Sequence, residues 1–215
     1  MIKLGKVLLL GDSYTTFKEY IPNGYAVYYS DSPNSITDLV SVEGTWWHAL
    51  LAQTDSTLVR NDSWSGSTIC NTGYNATDVS DRSFIARLDR LIDGGFFEEN
   101  EIDTVLVLGA TNDSWANVPI GTELKYEGWE REELYSFLPA LGYLTYRLST
   151  LKARVVFILN SELKEEINTA VREACGKFNI ELVELKKIDK IMGHPGIAGM
   201  KKITEQVLSH FENTK

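Results

Sequence analysis

The sequence predicts an α/β fold, a three-layer α/β/α sandwich built on a five-stranded parallel sheet. Two observations support this prediction: short apolar runs recur along the chain, and segments with helical periodicity separate them. Strands that are buried on both faces of a parallel sheet contain near-continuous Val, Leu and Ile. No repeat, low-complexity tract or linker divides the chain, so we predict a single domain over residues 1–215.

The five strand candidates are short and mostly apolar. In chain order they are Lys6–Leu10, Thr57–Asn61, Thr104–Leu108, Arg154–Leu159 and Glu181–Leu185. Because a helix follows nearly every strand, right-handed crossovers should place all the carboxyl ends at one edge of the sheet, where sites collect in such folds. Residues that directly follow these strands are therefore the first candidates for a functional site.

The helical segments are recognised by apolar residues spaced three and four positions apart. Four of them have this pattern without interruption: Thr45–Leu51, Phe84–Asp93, Ile167–Phe178 and Met200–Phe211. A fifth segment, Glu130–Leu151, has the same period but contains Pro139. Proline lacks the backbone N–H that a helix interior needs, so we expect it to break or kink this helix.

Two long stretches without a clear period interrupt the alternation. Tyr14–Gly44 is rich in Tyr, Asn, Ser and Pro, and Asp113–Trp129 contains a proline and two glycines between two tryptophans. Both follow strands at the carboxyl edge of the predicted sheet. They either wall a pocket at that edge or form compact surface loops that pack on their own aromatic side chains.

Composition limits the classes of partner. The chain has 215 residues, of which 43% are hydrophobic, and a formal net charge of −9. Such a charge repels phosphate backbones and anionic lipid head groups, so we expect neither nucleic acid nor a membrane surface as a partner. The apolar run Val7–Leu10 is too short for a secretory signal, and no stretch approaches the ~20 apolar residues of a membrane span. We expect a cytoplasmic protein, with a removed leader peptide as the alternative.

Cysteine and histidine spacing argues against a metal centre. Cys70 and Cys175 lie far apart and form no pair with the spacing of a zinc site or a disulfide framework. The three histidines likewise show no ligand spacing. The first strand is followed by acidic Asp12 and by no glycine-rich phosphate-binding motif, which disfavours a nucleotide or flavin site. We therefore predict no cofactor.

Four polar or glycine positions form the candidate site. Gly11-Asp12-Ser13-Tyr14 directly follows the first strand, Gly66 and Asn112 follow the second and third, and His194 precedes Pro195 near the carboxyl terminus. Taken singly, each has an ordinary structural explanation as a turn, cap or loop residue. Together they supply a hydroxyl nucleophile, a base with a pKa near neutrality and uncharged donors for an oxyanion, which are the requirements of ester hydrolysis.

This set of motifs resembles the SGNH hydrolase superfamily of GDSL-type esterases and lipases. The resemblance extends from Gly11-Asp12-Ser13-Tyr14 through Gly66 and Gly109-Ala110-Thr111-Asn112-Asp113 to His194-Pro195. It implies a flavodoxin-like fold, with Ser13 as nucleophile and His194 as base. It also implies an oxyanion hole made by the Ser13 amide, the Gly66 amide and the Asn112 side chain.

One position departs from the family pattern. Such proteins usually carry an aspartate three residues before the histidine, where it orients the imidazole, and here that position is Ile191. Asp189, five residues before His194, is one candidate for the orienting group. A backbone carbonyl that accepts the Nδ1 proton is the other.

The substrate is less well defined by the sequence. Five tryptophans are many for a small domain, and two of them, Trp64 and Trp115, flank the proposed oxyanion donors. Aromatic faces beside an ester site suit sugar rings and acyl groups equally. We favour a small-acyl esterase, such as one that removes acetyl from a carbohydrate. A lysophospholipase or thioesterase of the same family and a non-catalytic carbohydrate-binding relative are the alternatives.

Overall fold

The computed structural model describes residues 2–32 and 34–213. A parallel sheet with the strand order β2-β1-β3-β4-β5 runs through its centre. Its strands are β1 Lys6–Gly11, β2 Thr57–Ser63, β3 Thr104–Gly109, β4 Arg154–Leu159 and β5 Glu181–Glu184. The five-stranded parallel sheet is thus confirmed. A separate antiparallel hairpin consists of β6 Lys190–Ile191 and β7 His194–Pro195.

The central strands are apolar on both faces because both faces of the sheet are covered. In β1, Leu8 and Leu10 belong to one hydrophobic core, whereas Val7 and Leu9 belong to the other. All four side chains are fully buried. This burial on both faces explains why the sequence of the strand is a continuous apolar run and does not alternate between apolar and polar residues.

Helices form the two outer layers. In the described part of the chain they are α1 Trp46–Gln53, α2 Phe84–Asp93, α3 Phe96–Glu99, α4 Thr111–Trp115, α5 Phe137–Ser149, α6 Glu165–Lys177 and α7 Ile197–Asn213. Helices α1 and α7 bury their apolar residues against one face of the sheet, and α2, α5 and α6 cover the other. The predicted three-layer α/β/α sandwich is therefore confirmed. None of the helices in residues 2–32 and 34–213 has the length and hydropathy of a membrane span.

The expectation that Pro139 would interrupt a long helix is wrong. Helix α5 begins at Phe137, so Pro139 lies in its first turn, and the preceding residues form a separate 3-10 turn at Glu133–Tyr135. Backbone N–H groups in the first turn of a helix have no intrahelical acceptor, so a proline is tolerated there. Pro139 lies where the helix begins and does not kink it.

The second insertion, Asp113–Trp129, packs closely on helix α5. A Cβ atom at Gly142, in the middle of α5, would overlap the backbone carbonyl of Lys125. Gly176, near the end of α6, has open space at the same position. The two glycines therefore differ in function: Gly142 permits a backbone contact, and Gly176 does not.

We expect Gly142→Ala to destabilise the protein although alanine is the better helix former. The overlap with Lys125 should lower the free energy of unfolding by about 1–3 kcal/mol, as overpacking does. The matched variant Gly176→Ala should raise it by about 0.5–1 kcal/mol, because only the helix propensity changes. Urea denaturation of both variants checks this. Equal effects of the two substitutions would contradict the assigned contact.

Candidate active site

Ser13 lies just beyond the carboxyl end of strand β1, which ends at Gly11. The chain turns there because Asp12 accepts a hydrogen bond from the Tyr14 amide at 3.0 Å and so begins a 3-10 turn over Ser13–Thr15. Gly11 is required before this turn, since a Cβ atom there would lie 2.6 Å from Ser63 Oγ. Burial raises the pKa of the Asp12 carboxyl to about 6. The turn presents the Ser13 hydroxyl at the edge of the sheet.

His194 faces that hydroxyl from the β6–β7 hairpin. The two turn residues, Met192 and Gly193, both have left-handed backbones with φ of +48° and +82°, as two-residue hairpin turns often require. The imidazole Nε2 lies 3.1 Å from Ser13 Oγ, and Nδ1 lies 3.4 Å from the Met192 carbonyl oxygen. When Nδ1 carries the proton, Nε2 is free to accept the hydrogen bond of the Ser13 hydroxyl.

Asp189 does not orient His194 in this structure. Its carboxylate lies 2.6 Å from the Lys202 ammonium and is 58% exposed. Ile191, at the position of the family's aspartate, pairs with His194 across the hairpin. The group beside Nδ1 is the Met192 carbonyl, which is the backbone alternative that the sequence left open.

Three tyrosines of the stretch Tyr14–Gly44, which we call the first insertion, hold the hairpin in place. Tyr28 stacks on the imidazole of His194 with a centroid distance of 3.9 Å. Tyr14 donates a hydrogen bond to the Gly193 carbonyl at 2.6 Å, and Tyr29 donates one to the Pro195 carbonyl at 3.2 Å. The resulting burial lowers the pKa of His194 below its usual 6.5, although the Met192 carbonyl opposes this shift. Only the high tyrosine content of Tyr14–Gly44 could have indicated these contacts beforehand.

Gly66 and Ser13 present free backbone donors. Gly66 adopts a left-handed backbone with φ of +75°, and a Cβ atom there would meet open space. Among the described residues, neither the Gly66 amide nor the Ser13 amide has a hydrogen-bond acceptor. Both amides are therefore available to a bound group.

Asn112 presents its side-chain amide at the start of α4. Its Nδ2 donates to the Ser67 carbonyl at 2.9 Å, and its Oδ1 accepts from the Tyr74 hydroxyl at 2.8 Å. An amide nitrogen has two protons. The second Nδ2 proton has no acceptor within the described residues and remains available.

A cavity of about 390 Å³ brings these groups together. Its lining consists of Ser13, Ala26, Tyr28, Ser65, Gly66, Tyr74, Asn112, Trp115 and His194. The predicted residues Ser13, Gly66, Asn112 and His194 are thus all present, whereas Asp189 is not. Ala26 and Tyr28 come from the first insertion and Trp115 from the second, so both insertions contribute to the wall. Trp64 does not line the cavity.

Two buried charged side chains support the loop that carries Gly66. The Asp113 carboxylate accepts hydrogen bonds from the amides of Ile69 and Cys70, and burial raises its pKa to about 7. Arg87 donates to the Gly11 carbonyl at 3.1 Å and to Ser67 Oγ at 3.0 Å. Sequence reasoning missed Arg87. The available signal was a charged residue within the apolar stripe of α2.

The arrangement has the elements of nucleophilic catalysis. A hydroxyl lies within hydrogen-bond reach of an imidazole, and unpaired donors share its cavity. No cluster of three or more histidine, cysteine or carboxylate side chains suited to a metal ion occurs in the described part of the chain.

Two solved structures are similar to this protein over nearly the whole chain. The structure resembles that of a candidate GDSL-like lipase from Bacteroides ovatus, with 44% identity over 99% of this chain and 100% of the other and a TM-score of 0.89. A second such protein, from Bacteroides uniformis, is 41% identical over 97% and 96% of the two chains, with a TM-score of 0.87. No curated protein matches the sequence.

More distant likeness is limited to the fold. A family two carbohydrate esterase from Clostridium thermocellum, solved with cellohexaose, has 12% identity over all of this chain and 65% of its own, with a TM-score of 0.64. The model of the GDSL-like lipase/acylhydrolase family matches residues 5–211, nearly the whole sequence. From this match and the Bacteroides neighbours we conclude that the chain belongs to the GDSL-like lipase/acylhydrolase family.

Proposed function

We propose that this protein is a serine esterase that hydrolyses carboxylic esters through an acyl-enzyme on Ser13. The observation on which the proposal rests is the 3.1 Å distance between Ser13 Oγ and His194 Nε2 in a cavity with free donors. Membership of an acylhydrolase family supports the same reaction class. The substrate partner is accordingly a small-molecule ester.

The reaction would proceed in two halves. Ser13 Oγ attacks the ester carbonyl carbon while His194 Nε2 takes the hydroxyl proton, and the same proton then passes to the departing alcohol. Water attacks the acyl-enzyme with His194 again as base, and the carboxylic acid leaves. In both halves the tetrahedral oxyanion would be held by the amides of Ser13 and Gly66 and by Asn112 Nδ2. One such donor is worth roughly 3 kcal/mol to the transition state.

The base would act without a carboxylate partner. The Met192 carbonyl near Nδ1 fixes the tautomer in which Nε2 accepts a proton. When His194 becomes charged, the stacked ring of Tyr28 offers its negative face to the cation. Removal of a charged orienter weakens such a base, but catalysis by the oxyanion donors remains.

A small acyl group on a carbohydrate is the substrate that we favour. The cavity lies at the small end of the range of ligand sites, and Tyr28, Tyr74 and Trp115 line it with aromatic faces suited to a sugar ring. The carbohydrate esterase likeness adds only the fold, because its identity is 12%.

A longer acyl chain, as in a lysophospholipase or thioesterase, is the second candidate. Large apolar side chains lie exposed beside the site: Met192 at the hairpin tip is 79% exposed, and Val27, next to Tyr28, is 46% exposed. Such a rim favours an amphiphilic substrate. For a non-catalytic carbohydrate binder we find no comparable observation, because its best support, the missing aspartate, is offset by the Met192 carbonyl.

We expect the wild type to hydrolyse p-nitrophenyl acetate and Ser13→Ala to lose at least a thousandfold in kcat/KM. The loss follows because, among the described residues, Ser13 supplies the one hydroxyl that is hydrogen-bonded to His194 Nε2. Labelling by a fluorophosphonate probe, read by intact mass, should disappear in the same variant. Ser161→Ala, a buried serine outside the cavity, is the matched control and should behave as wild type. Equal rates of wild type and Ser13→Ala would exclude the proposed nucleophile.

A panel of p-nitrophenyl esters distinguishes the two candidate substrates. If the cavity sets specificity, kcat/KM should fall from acetyl to octanoyl by about tenfold or more, since steric exclusion of a few methylenes is worth at least 1–2 kcal/mol. Acetylated xylose and cellobiose should then release acetate in a Ser13-dependent manner. Rates that rise with chain length, and that drop in Met192→Ser, would favour the amphiphilic ester.

The pH profile should report the shifted base. Since burial lowers the pKa of His194, the acid limb of kcat/KM should have its midpoint below 6.5, and activity should be lost only as pH falls through that value. Asp189→Asn should leave the limb in place, because that carboxylate pairs with Lys202. Tyr28→Ala should move the limb upward, because burial is the main cause of the lowered pKa and its loss should outweigh the lost contact of the ring with the cation. A wild-type midpoint above 6.5 would contradict this interpretation.

A further inference from the structure

The hydrogen bonds of Asn112 determine which way its amide points. The Ser67 carbonyl can only accept a hydrogen bond, so the atom 2.9 Å from it must be the nitrogen. The opposite atom is then Oδ1, and it lies 2.8 Å from the Tyr74 hydroxyl, which must donate. These two contacts fix the plane and the orientation of the amide, so the remaining Nδ2 proton can point in only one direction.

We propose that Tyr74 is a positioning residue of the oxyanion hole: its hydroxyl locks the Asn112 amide so that Nδ2 points into the cavity. The inference rests on the proposed esterase reaction, in which Asn112 stabilises the tetrahedral oxyanion. Donation to Oδ1 also draws electron density from the amide and strengthens its N–H as a donor. Tyr74 thus acts through Asn112 and needs no bond to the substrate.

The backbone around Tyr74 is held in an unusual conformation. The two residues that follow it, Asn75 and Ala76, both have left-handed backbones, with φ of +55° and +56°. Left-handed alanine is costly and persists where its surroundings demand it, often at functional sites. A hydrogen bond from the Gly73 amide to the Thr77 carbonyl at 2.8 Å closes this five-residue loop. The strained loop holds the phenol against Asn112.

The phenol keeps its proton at neutral and mildly alkaline pH. Burial, together with the nearby Asp12, Tyr28 and Asp113, raises the pKa of Tyr74 to about 12. The hydroxyl therefore remains a donor at neutral and mildly alkaline pH, and it continues to oppose rotation of the amide. A residue whose donor titrated near neutrality would not serve in this way.

A substrate contact is the competing role for the same side chain. Tyr74 lines the cavity and is 41% exposed, so its ring can also touch a bound ester. The two roles differ in what they change. A contact made equally to substrate and transition state affects KM, whereas an oxyanion donor that forms its bond in the transition state affects kcat.

The test compares Tyr74→Phe with Tyr135→Phe. Tyr135 donates its hydroxyl at 3.1 Å to Asp78, the residue that follows this loop, and among the described residues it makes no hydrogen bond to Asn112. We expect Tyr74→Phe to lower kcat on p-nitrophenyl acetate about tenfold. This is less than the roughly 10²–10³-fold loss of kcat that complete removal of an oxyanion donor causes. KM should stay within about twofold, since the ring remains. Binding of a boronic acid, which forms a tetrahedral adduct on Ser13, should weaken in parallel with kcat. Tyr135→Phe should match wild type in all three measurements.

A double-mutant cycle shows whether Tyr74 acts through Asn112. In an Asn112→Ala background, Tyr74→Phe should cause no further loss of kcat, because its target is absent. An independent, additive loss would overturn the proposal, and so would a rise in KM with kcat unchanged or a Tyr74→Phe variant equal to wild type. Ser13→Ala separates the two hypotheses: if it retains activity, the esterase proposal fails, whereas an inactive Ser13→Ala beside a fully active Tyr74→Phe refutes only the role of Tyr74.

Discussion

The geometry of the site depends on the contacts of one buried guanidinium, that of Arg87. It is 1% exposed and forms an ion pair with the Asp62 carboxylate at 3.0 Å. Its Nη2 donates to the Gly11 carbonyl and to Ser67 Oγ. Loss of the carboxylate from such a buried pair typically costs about 3–5 kcal/mol, because the buried guanidinium is left without compensation. The same contacts connect the end of β1, which leads to Ser13, with the loop that carries Gly66.

The candidate site therefore consists of two parts held by different means. The first part follows the ends of β1, β2 and β3, and Arg87, Asp113 and Asn112 connect those ends through hydrogen bonds to backbone groups. The second part is the hairpin with His194, which lies outside the sheet and is held by hydroxyl groups and rings of the first insertion. Strand pairing fixes the first part, whereas the second depends on side-chain contacts across more than a hundred residues of sequence.

This division explains what the sequence could predict. The strands were predicted within two residues at every boundary, because burial on both faces leaves a local apolar signal. Ser13, Gly66 and Asn112 could be placed together because parallel strands share a carboxyl edge. The hairpin could not, since Met192 in a left-handed backbone has no local signature, and the pairing of Asp189 with Lys202 depends on where α7 lies. Long-range contacts, such as those of Arg87 and Tyr28, leave little trace in a single sequence.

Within residues 2–32 and 34–213 no carboxylate lies beside the His194 ring, and this has consequences for the whole site. A buried carboxylate would stabilise the imidazolium and raise its pKa, whereas a carbonyl oxygen supplies only a dipole, so burial prevails and the pKa falls. In the proposed reaction, such a base would stay neutral over a wider pH range but would hold its proton less firmly in the transition state. More of the stabilisation would consequently come from the proposed oxyanion donors, at roughly 3 kcal/mol each. A site of this kind gains most from an asparagine whose amide is fixed on both sides, as Ser67 and Tyr74 fix Asn112.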